Sequence, residues 1–264
     1  CQVFLTTHNP LLARRFRQHA LRFITLENGE TIVRHGRDEA TIREIVNSLG
    51  VLPDHNIKAF LGVEGRNDIN FLRTISKILH DAGEAVPDRG VAEDAGDLVF
   101  VPLGGSSLDL WVSRLKGLNR PEFYLFDRDN KTPQYPHYKA VAEKINQRPD
   151  CRAWHTNKRE LENYIHPDVI RIKYPNYTGK GDDFEDVPLL LAQAAHEANP
   201  SGEAWADVMK DDKKRGKKVS NAKRRLCSEF VAMMTPELLT MVDRDDQVRT
   251  WLKEIGKALN PGET

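Results

Sequence analysis

The sequence predicts an α/β protein with a helical C-terminal region. Three observations lead to this fold class. Between residues 53 and 165, short apolar runs of strand type alternate with amphipathic stretches of helical length. After residue 166 the strand signal disappears, and the apolar stretches have helical spacing. Strands that alternate with helices imply a largely parallel sheet flanked by helices, with ligands outside the carboxyl ends of the strands.

Residues 1–52 are predicted to be the end of one domain followed by a connector. "QVFL" favours a short strand that stops at "TTHNP", where proline bars a helix. "LRFITLENGETIVRHG" predicts two strands around Asn28-Gly29, a good hairpin turn pair. "DEATIREIVNSLG" has helical spacing and ends at Gly50.

Residues 53–165 are predicted to form the α/β domain. The first strand is "IKAFLGVE", and an amphipathic helix follows it and ends at Gly83. Ser106 or Ser107 is a plausible cap of the second helix. The later strands are "LVFVPLG", "EFYLF" and "CRAWHT", and the helices are "DINFLRTISKILHDAG", "SSLDLWVSRLKGL" and "YPHYKAVAEKINQR".

Residues 166–264 are predicted to form a smaller all-α domain. A charged stretch, "KDDKKRGKKVSNAKRR", lies between its first two helices. The predicted helices are "VPLLLAQAAHEA", "AKRRLCSEFVAMM", "TPELLTMV" and "DQVRTWLKEIGKAL".

The bulk composition is that of a soluble globular protein. Of 264 residues, 39% are hydrophobic and 30% charged, and the formal net charge is zero, so local charge patterns must indicate any partner. Cys1, Cys151 and Cys227 lie far apart and form no CxxC pair, which argues against a disulfide framework or a structural zinc site. No apolar run approaches the roughly 20 residues that cross a bilayer. We therefore expect a cytoplasmic protein without a membrane partner.

Carboxylates follow three of the predicted strands. Because the carboxyl ends of parallel strands share one edge of the sheet, we expect these side chains to converge there. Converging carboxylates repel one another unless cations intervene, and ligand sets made only of oxygen suit Mg²⁺ or Mn²⁺. The six acids are Glu64, Asp68, Asp127, Asp129, Glu160 and Glu162.

Each acidic motif alone has a simpler interpretation. A single strand-end glutamate or an isolated "DRD" is typical of a solvated loop. Glu160 and Glu162 could merely cap the helix through "LENYI". The conjunction of the motifs, in order and at strand ends, favours a metal site.

The motifs resemble a known family. "VEGRND" followed by an apolar run and "DRD" resembles the Toprim domain of primases, topoisomerases and several nucleases. "VFLTTHNP" resembles the switch-histidine loop that closes an ABC-type ATPase domain. With "ELENYI", this order is similar to the OLD (overcoming lysogenization defect) nucleases. It most resembles their second class, which includes the nuclease subunit of the Gabija anti-phage system.

The resemblance implies a Toprim sheet with an appended helical domain and two-metal cleavage of DNA by two Mg²⁺ or Mn²⁺ ions. It assigns catalytic roles to Glu64, Asp127, Asp129 and a lysine from the helical domain. Lys223 is the best candidate for that lysine, and Lys217 is second. The implied metal ligands are Glu64, Asp68, Asp127, Asp129 and an acid of "ELEN", with Glu162 favoured and Glu160 close behind.

The charged stretch is the predicted DNA-binding surface. Its basic residues could follow a phosphate backbone, or they could form a solvated loop softened by Asp211 and Asp212. Aromatic residues are not interleaved, so contact with the DNA backbone is favoured over base recognition. The predicted contacts are Lys213, Lys214, Arg215, Lys217, Lys218, Lys223, Arg224 and Arg225.

The resemblance implies that His8 is the switch histidine, which would sense the γ-phosphate of the nucleotide in the full-length protein. No GxxxxGK[ST] loop occurs in this sequence, so we expect no ATP hydrolysis by this chain alone. The resemblance also implies an N-terminal ATPase domain in the same protein, a homo-oligomer formed through that region, and a UvrD-like helicase as a partner.

Other functions fit the sequence less well. A haloacid-dehalogenase-type phosphatase wants Thr or Val where Lys131 stands, and it leaves "VEGRND" unexplained. A Toprim topoisomerase needs a nucleophilic tyrosine, and Tyr135, Tyr138, Tyr164, Tyr174 and Tyr177 are available. A primase needs nucleotide-binding elements that are not apparent. A non-catalytic DNA-binding or dimerisation module would leave its buried carboxylates without a cation, which is destabilising.

Overall fold

The computed structural model describes residues 3–7, 20–27, 30–35, 41, 57–103, 112, 115, 120–129, 138–199 and 202–260. The strands are β1 (Arg22–Glu27), β2 (Glu30–His35), β3 (Ala59–Val63), β4 (Leu98–Pro102), β5 (Glu122–Phe126) and β6 (Cys151–His155). The helices are α1 (Arg66–Asp81), α2 (Arg89–Asp94), α3 (Lys139–Asn146), α4 (Pro167–Lys173), α5 (Val187–Ala198), α6 (Trp205–Lys210), α7 (Asp212–Arg225), α8 (Pro236–Val242) and α9 (Gln247–Leu259).

Four strands form a parallel sheet in the order β4-β3-β5-β6. The chain runs from β3 to β4 on one side and then returns past β3 to β5 and β6 on the other. The strand order therefore reverses between β3 and β5. In open α/β sheets, such a reversal leaves a crevice at the carboxyl ends of the two strands. The predicted fold class is confirmed: a parallel sheet flanked by helices, with a C-terminal helical region.

The central strands are buried on both faces, as is typical of parallel strands covered by helices. On β3, Ala59, Leu61 and Val63 face one apolar cluster, and Phe60 faces the other. The first cluster includes side chains of α1 and of the C-terminal helices, such as Trp251. The second cluster is covered by α3. One face of the sheet therefore shares its core with the helical region, while the predicted boundary at residue 166 stays a prediction.

Gly62 allows a close approach in the middle of the sheet. It pairs in register with Tyr124 on β5. A Cβ atom at position 62 would lie 2.6 Å from Tyr124 Cδ1 and 2.8 Å from Leu103 Cδ1, closer than packed atoms come. The glycine thus lets the Tyr124 ring lie flat against β3 and keeps β3 and β5 in the register that sets their carboxyl ends side by side.

The hairpin is confirmed, whereas the strand predicted at "QVFL" is not. β1 and β2 pair antiparallel, with Leu26 opposite Thr31, around Asn28 and Gly29, which lie outside the described residues. Residues 3–7, by contrast, have no regular structure, and Val3 is 81% exposed. A strand requires a neighbouring strand for its backbone hydrogen bonds, and none of the described strands pairs with Val3, Phe4 or Leu5.

Several predicted helices fall partly or wholly on residues that are not described. Of "DEATIREIVNSLG" only Thr41 is described, and it is helical. Of "SSLDLWVSRLKGL" only Val112 and Leu115 are described, and both are helical.

The charged stretch is helical from Asp212 onward, where the sequence favoured a helix only from residue 222. Asp211 caps α7 by accepting hydrogen bonds from the backbone N–H groups of Lys213 and Lys214, both at 3.0 Å. After Arg225 the helix widens into a π-helical turn, Leu226–Phe230, and then a 3₁₀ turn, Val231–Met233. α2 was also missed, although Asp88 is an evident cap for it.

Among the described helices, none is long and apolar enough to cross a bilayer.

Candidate metal centre

The first two acids lie at the junction of β3 and α1. Glu64 follows the last residue of β3, and its Oε1 accepts a hydrogen bond from the backbone N–H of Asp127 at 3.3 Å. Asp68 lies in the first turn of α1, 6% exposed, and its Oδ2 accepts from the N–H of Gly65 at 2.8 Å. These contacts join the carboxyl ends of β3 and β5, as the strand order predicts.

Asp127 and Asp129 follow β5 but differ in burial. Asp127 is 4% exposed, and its Oδ1 accepts from the backbone N–H of Leu161 at 3.2 Å. Asp129 is exposed, and its backbone lies in the left-handed region at φ 57°. Its N–H donates to Arg159 O at 2.9 Å. The two aspartates therefore occupy different depths of one crevice.

Thr156 fixes the loop after β5 against the loop after β6. Its side chain is fully buried, and Oγ1 accepts from the N–H of Arg128 at 3.0 Å. The same hydroxyl donates to Lys158 O at 2.7 Å. This arrangement holds the "DRD" and "ELEN" segments together independently of their carboxylates.

A short 3₁₀ helix, Leu161–Tyr164, positions the "ELEN" acids. Glu160 is 6% exposed and Glu162 is fully buried. Asp127, Glu160 and Glu162 each offer an oxygen, and these oxygens all lie within 4.8 Å of one another. The sequence left Glu160 and Glu162 as alternatives, and the structure brings both to the same place.

Lys223 is the lysine that reaches this cluster. It lies in the last turn of α7, and its Nζ is 2.9 Å from Glu160 Oε2 and 3.7 Å from Glu162 Oε1. Lys217, the second candidate, is exposed and has no ion pair among the described residues. Of the two candidate lysines, Lys223 is the one that lies beside the acids, while its catalytic role stays a prediction.

Sequence reasoning missed Cys227. The thiol is buried on the π-helical turn, and its Sγ lies 3.5 Å from Glu162 Oε1, to which it can donate. The other oxygen of Glu162, Oε2, is buried and has no hydrogen-bond partner among the described residues. The spacing of Lys223 and Cys227, four residues apart on a helix, was the available signal that both face the same acids.

Burial and mutual repulsion raise the pKa values of several of these acids. Burial, followed by the charges of Asp129 and Asp68, raises the pKa of Glu64 to about 7. Burial and the charge of Glu160 raise the pKa of Glu162 to about 8. Burial and then the charge of Asp68 raise the pKa of Asp127 well above its usual range.

Lys223 is the opposing charge. Burial lowers the pKa of its ammonium, but the charges of Glu162, Glu160 and Asp127 outweigh burial and hold that pKa above its usual value. The lysine is therefore protonated throughout the neutral range. A single ammonium faces five clustered carboxylates, so the cluster keeps an excess of negative charge. These carboxylates are Glu64, Asp68, Asp127, Glu160 and Glu162.

A cleft of about 270 Å³ opens onto the cluster. It is bounded by the N-terminus of α1 and by the side chain of Lys223. Its lining residues are Glu64, Gly65, Arg66, Asn67, Asp68 and Lys223. The cleft gives a ligand access from solvent to Glu64, Asp68 and Lys223.

The predicted DNA-binding residues lie along α7, but they are not equivalent. Lys213, Lys217 and Arg224 are exposed and share one stripe of the helix. Lys214 pairs with Glu203 at 2.8 Å, and Arg215 pairs with Asp212 at 2.7 Å.

Lys218 and Arg225 are half-buried. Arg225 donates to Tyr174 Oη at 2.7 Å and to Glu229 Oε2 at 3.0 Å, so its guanidinium is committed to the protein. The exposed stripe on α7 is formed by Lys213, Lys217 and Arg224; the first two have no ion pair among the described residues, and the Arg224 guanidinium donates only to Asn221 Oδ1, at 2.7 Å, within that part of the chain. His8 lies outside the described residues.

Comparison of the chain with protein-family models, with curated proteins and with solved structures finds no match, so the assignment of the site depends on its own geometry.

Proposed function

We propose that this protein is a metal-dependent DNA endonuclease. One observation carries the proposal: oxygens of Asp127, Glu160 and Glu162, from two separate segments, lie within 4.8 Å of one another beside the ammonium of Lys223. Three buried acids at this spacing are costly unless a cation compensates them. A lysine at the same place suits a reaction that builds negative charge.

The residues fit a hard divalent cation. The clustered donors are carboxylate oxygens, the ligands that Mg²⁺ and Mn²⁺ prefer. Glu162 Oε2 is buried and has no hydrogen-bond partner in the part of the chain that the structure describes, as expected of a ligand atom in the absence of its cation. Asp127, Glu160 and Glu162 would hold one ion, and Glu64, Asp68 and Asp129 would hold a second.

The protein's own groups would orient the phosphodiester and stabilise its reaction. Bound divalent ions supply an activated water and neutralise charge on the phosphoryl oxygens. The ammonium of Lys223, which lines the cleft, would stabilise the negative charge that develops on those oxygens. Because Lys223 stays protonated at neutral pH, its role is electrostatic, not that of a general base.

The exposed stripe on α7 supports DNA as the substrate. Lys213, Lys217 and Arg224 lie on the same helix as Lys223, about 100° around its axis, so a phosphate backbone held on this stripe would run beside the cleft. Contacts of this kind position a nucleic acid without reading its bases. We therefore propose cleavage of duplex DNA without stringent sequence preference.

The resemblance to the OLD nucleases, and to Gabija in particular, extends the proposal. The chain would be the Toprim and helical part of an ATPase-coupled nuclease in phage defence or DNA repair. The N-terminal ATPase domain would drive homo-oligomer formation, and a UvrD-like helicase would be a further partner. "VEGRND", "DRD", "ELENYI" and "VFLTTHNP" support this assignment.

Supercoiled plasmid incubated with Mg²⁺ or Mn²⁺ tests the proposal. We expect nicked and linear DNA, and no products with EDTA. Glu64→Ala should abolish cleavage, whereas Glu143→Ala, which changes an exposed glutamate of α3, should not. Full cleavage by the Glu64→Ala protein would rule out the proposed site.

The same assay separates the topoisomerase alternative. Of its candidate tyrosines, Tyr164, Tyr174 and Tyr177 are buried, and Tyr135 lies outside the described residues. Tyr138 is half-buried, and burial followed by the charges of Glu64 and Asp129 raises its pKa, which is unfavourable for a nucleophile. Covalently closed, relaxed circles in place of cut DNA would favour the topoisomerase. DNA binding without either product would favour a non-catalytic module.

A further inference from the structure

We propose that Lys223 occupies a cation position of the acidic cluster until a DNA phosphate receives its ammonium, so that metal and DNA bind cooperatively. The inference depends on the proposed function and adds to it how the site is loaded.

Lys223 and a divalent cation would use the same carboxylates. The ammonium contacts Glu160 at 2.9 Å and Glu162 at 3.7 Å. These two glutamates are also two of the three residues whose oxygens converge within 4.8 Å. A divalent ion between them would stand directly against the ammonium, and like charges at such a distance repel strongly in a buried site. Full occupancy by the metal therefore requires the ammonium to move.

The side chain has somewhere to move. Lys223 is 33% exposed and lines the cleft as well as contacting the glutamates. A lysine has a flexible four-carbon stem, so its ammonium can turn from Glu160 toward the open side of the cleft without any shift of α7. An anion in the cleft would give the displaced ammonium a new partner.

α7 also carries exposed cations, about 100° around its axis from Lys223, that would hold a DNA backbone beside the cleft. Lys217 and Arg224 are exposed on the same helix, in the stripe that would follow the DNA backbone. DNA bound along this stripe would bring a phosphate to the cleft, where it can accept the ammonium of Lys223. The acids then lose their internal cation and gain affinity for an external one. By reciprocity, bound metal raises the affinity for DNA by the same factor.

Calorimetric titration with Mn²⁺ at one neutral pH tests this coupling. The unmodified protein is titrated alone and with a short DNA duplex that carries phosphorothioate linkages to resist cleavage, and Mn²⁺ uptake by the duplex alone is subtracted. We expect the duplex to tighten Mn²⁺ binding by about tenfold, within the usual range of coupling between two sites.

Lys223→Met should separate the two effects. Without DNA, the variant should bind Mn²⁺ more tightly than the unmodified protein by about the same factor, and the duplex should add nothing further. Lys257→Met is the matched control, because Lys257 occupies the equivalent position in the last turn of α9 and is exposed. It should behave as the unmodified protein does.

Two results would overturn the inference. One is Mn²⁺ binding by Lys223→Met that is unchanged or weaker, because the lysine would then not compete with the ion. The other is a duplex that leaves the Mn²⁺ affinity of the unmodified protein unchanged, a measurement that does not depend on how the variant folds. Neither readout uses cleavage, so a protein that shows the coupling but cuts no plasmid would contradict the proposed function alone.

Discussion

The two ends of the sheet each bury a glutamate beside a cation, but only one of the two is satisfied. At the start of β5, Glu122 is 1% exposed and accepts from Tyr124 Oη at 2.7 Å and from both terminal nitrogens of Arg148. At the carboxyl edge, Glu162 is fully buried and lies 3.7 Å from the Lys223 ammonium, and one of its oxygens has no hydrogen-bond partner within the described ranges.

This comparison distinguishes a structural ion pair at Glu122 from a cluster around Glu162 that can still bind a cation. The Glu122–Arg148 pair matches one carboxylate with one guanidinium in a bidentate contact, so it has no use for a further cation. The carboxyl-edge cluster sets several carboxylates against one ammonium. Burial and a charge partner are common to both ends. The unsatisfied oxygen and the excess of acid identify the end that can bind a ligand.

Asp127→Asn should give the largest effect. It removes a charged oxygen ligand from the converging set while keeping its shape, and we expect cleavage to fall by about 10³-fold or more, with DNA binding retained. Single-turnover cleavage of labelled duplex measures the loss. Asp94→Asn, which changes an exposed aspartate at the end of α2, is the control and should cut normally. Equal rates for the two variants would remove Asp127 from the site.

Arg148→Met should break the satisfied pair at the other end. It leaves Glu122 buried without its partner, and we expect the free energy of unfolding to fall by about 3 kcal/mol, as measured by urea denaturation. Arg152→Met removes a 60% exposed arginine that lies 4.0 Å from Glu254, and it should cost less than about 1 kcal/mol. The comparison fails if both variants lose the same stability, or if Arg148→Met alters the response to Mg²⁺.

The stability of the metal-free protein should fall as pH rises. Glu64 and Glu162 have folded-state pKa values of about 7 and about 8, above the 4.5 of a free glutamate. The folded state therefore binds more protons than the unfolded state between these values. In EDTA we expect the free energy of unfolding to decrease by on the order of 6 kcal/mol from about pH 5 to pH 8.

Glu162→Gln should flatten this dependence, because it removes one of the two raised groups, whereas Glu143→Gln at an exposed position should leave it intact. Urea denaturation at a series of pH values in EDTA supplies the measurement. If the free energy of unfolding of the metal-free protein instead increased from pH 5 to pH 8, ionisation of these buried acids would not destabilise the fold.

Lys217→Ala should give the smallest effect. Loss of one exposed phosphate contact should weaken DNA binding several-fold and reduce the slope of log affinity against log salt by about 1. Fluorescence anisotropy with labelled duplex at several salt concentrations measures both quantities. Lys257→Ala, on α9, is the control. An unchanged slope for Lys217→Ala would place the DNA away from α7.

The fold class and the convergence of most of the acids could be predicted from the sequence, because both depend on local patterns. Buried strands that end in acids, such as Glu64 after β3 and Asp127 after β5, predict convergence once the sheet is parallel. The sequence could not decide between Glu160 and Glu162 as the metal ligand. Their side-chain directions are set by a 3₁₀ turn, which sequence patterns do not predict as they predict an α-helix.

The parts that could not be predicted depend on long-range packing. Asp212–Arg225 has almost no apolar stripe, so its periodicity favours a loop, and only the cap at Asp211 indicates a helix. The contact between Cys227 and Glu162 requires the C-terminal helices to pack on the face of the sheet that bears α1. Nothing local in the sequence specifies that packing.

The chain positions of the site residues have a consequence for how the protein is made. Glu64 leaves the ribosome before Lys223 and Cys227, which follow it in the chain and complete the cluster. A nascent or truncated chain that stops before them has the acids without their counter-charge. Under the proposed function, a cell would therefore carry the finished nuclease but no partly built one able to damage its own genome.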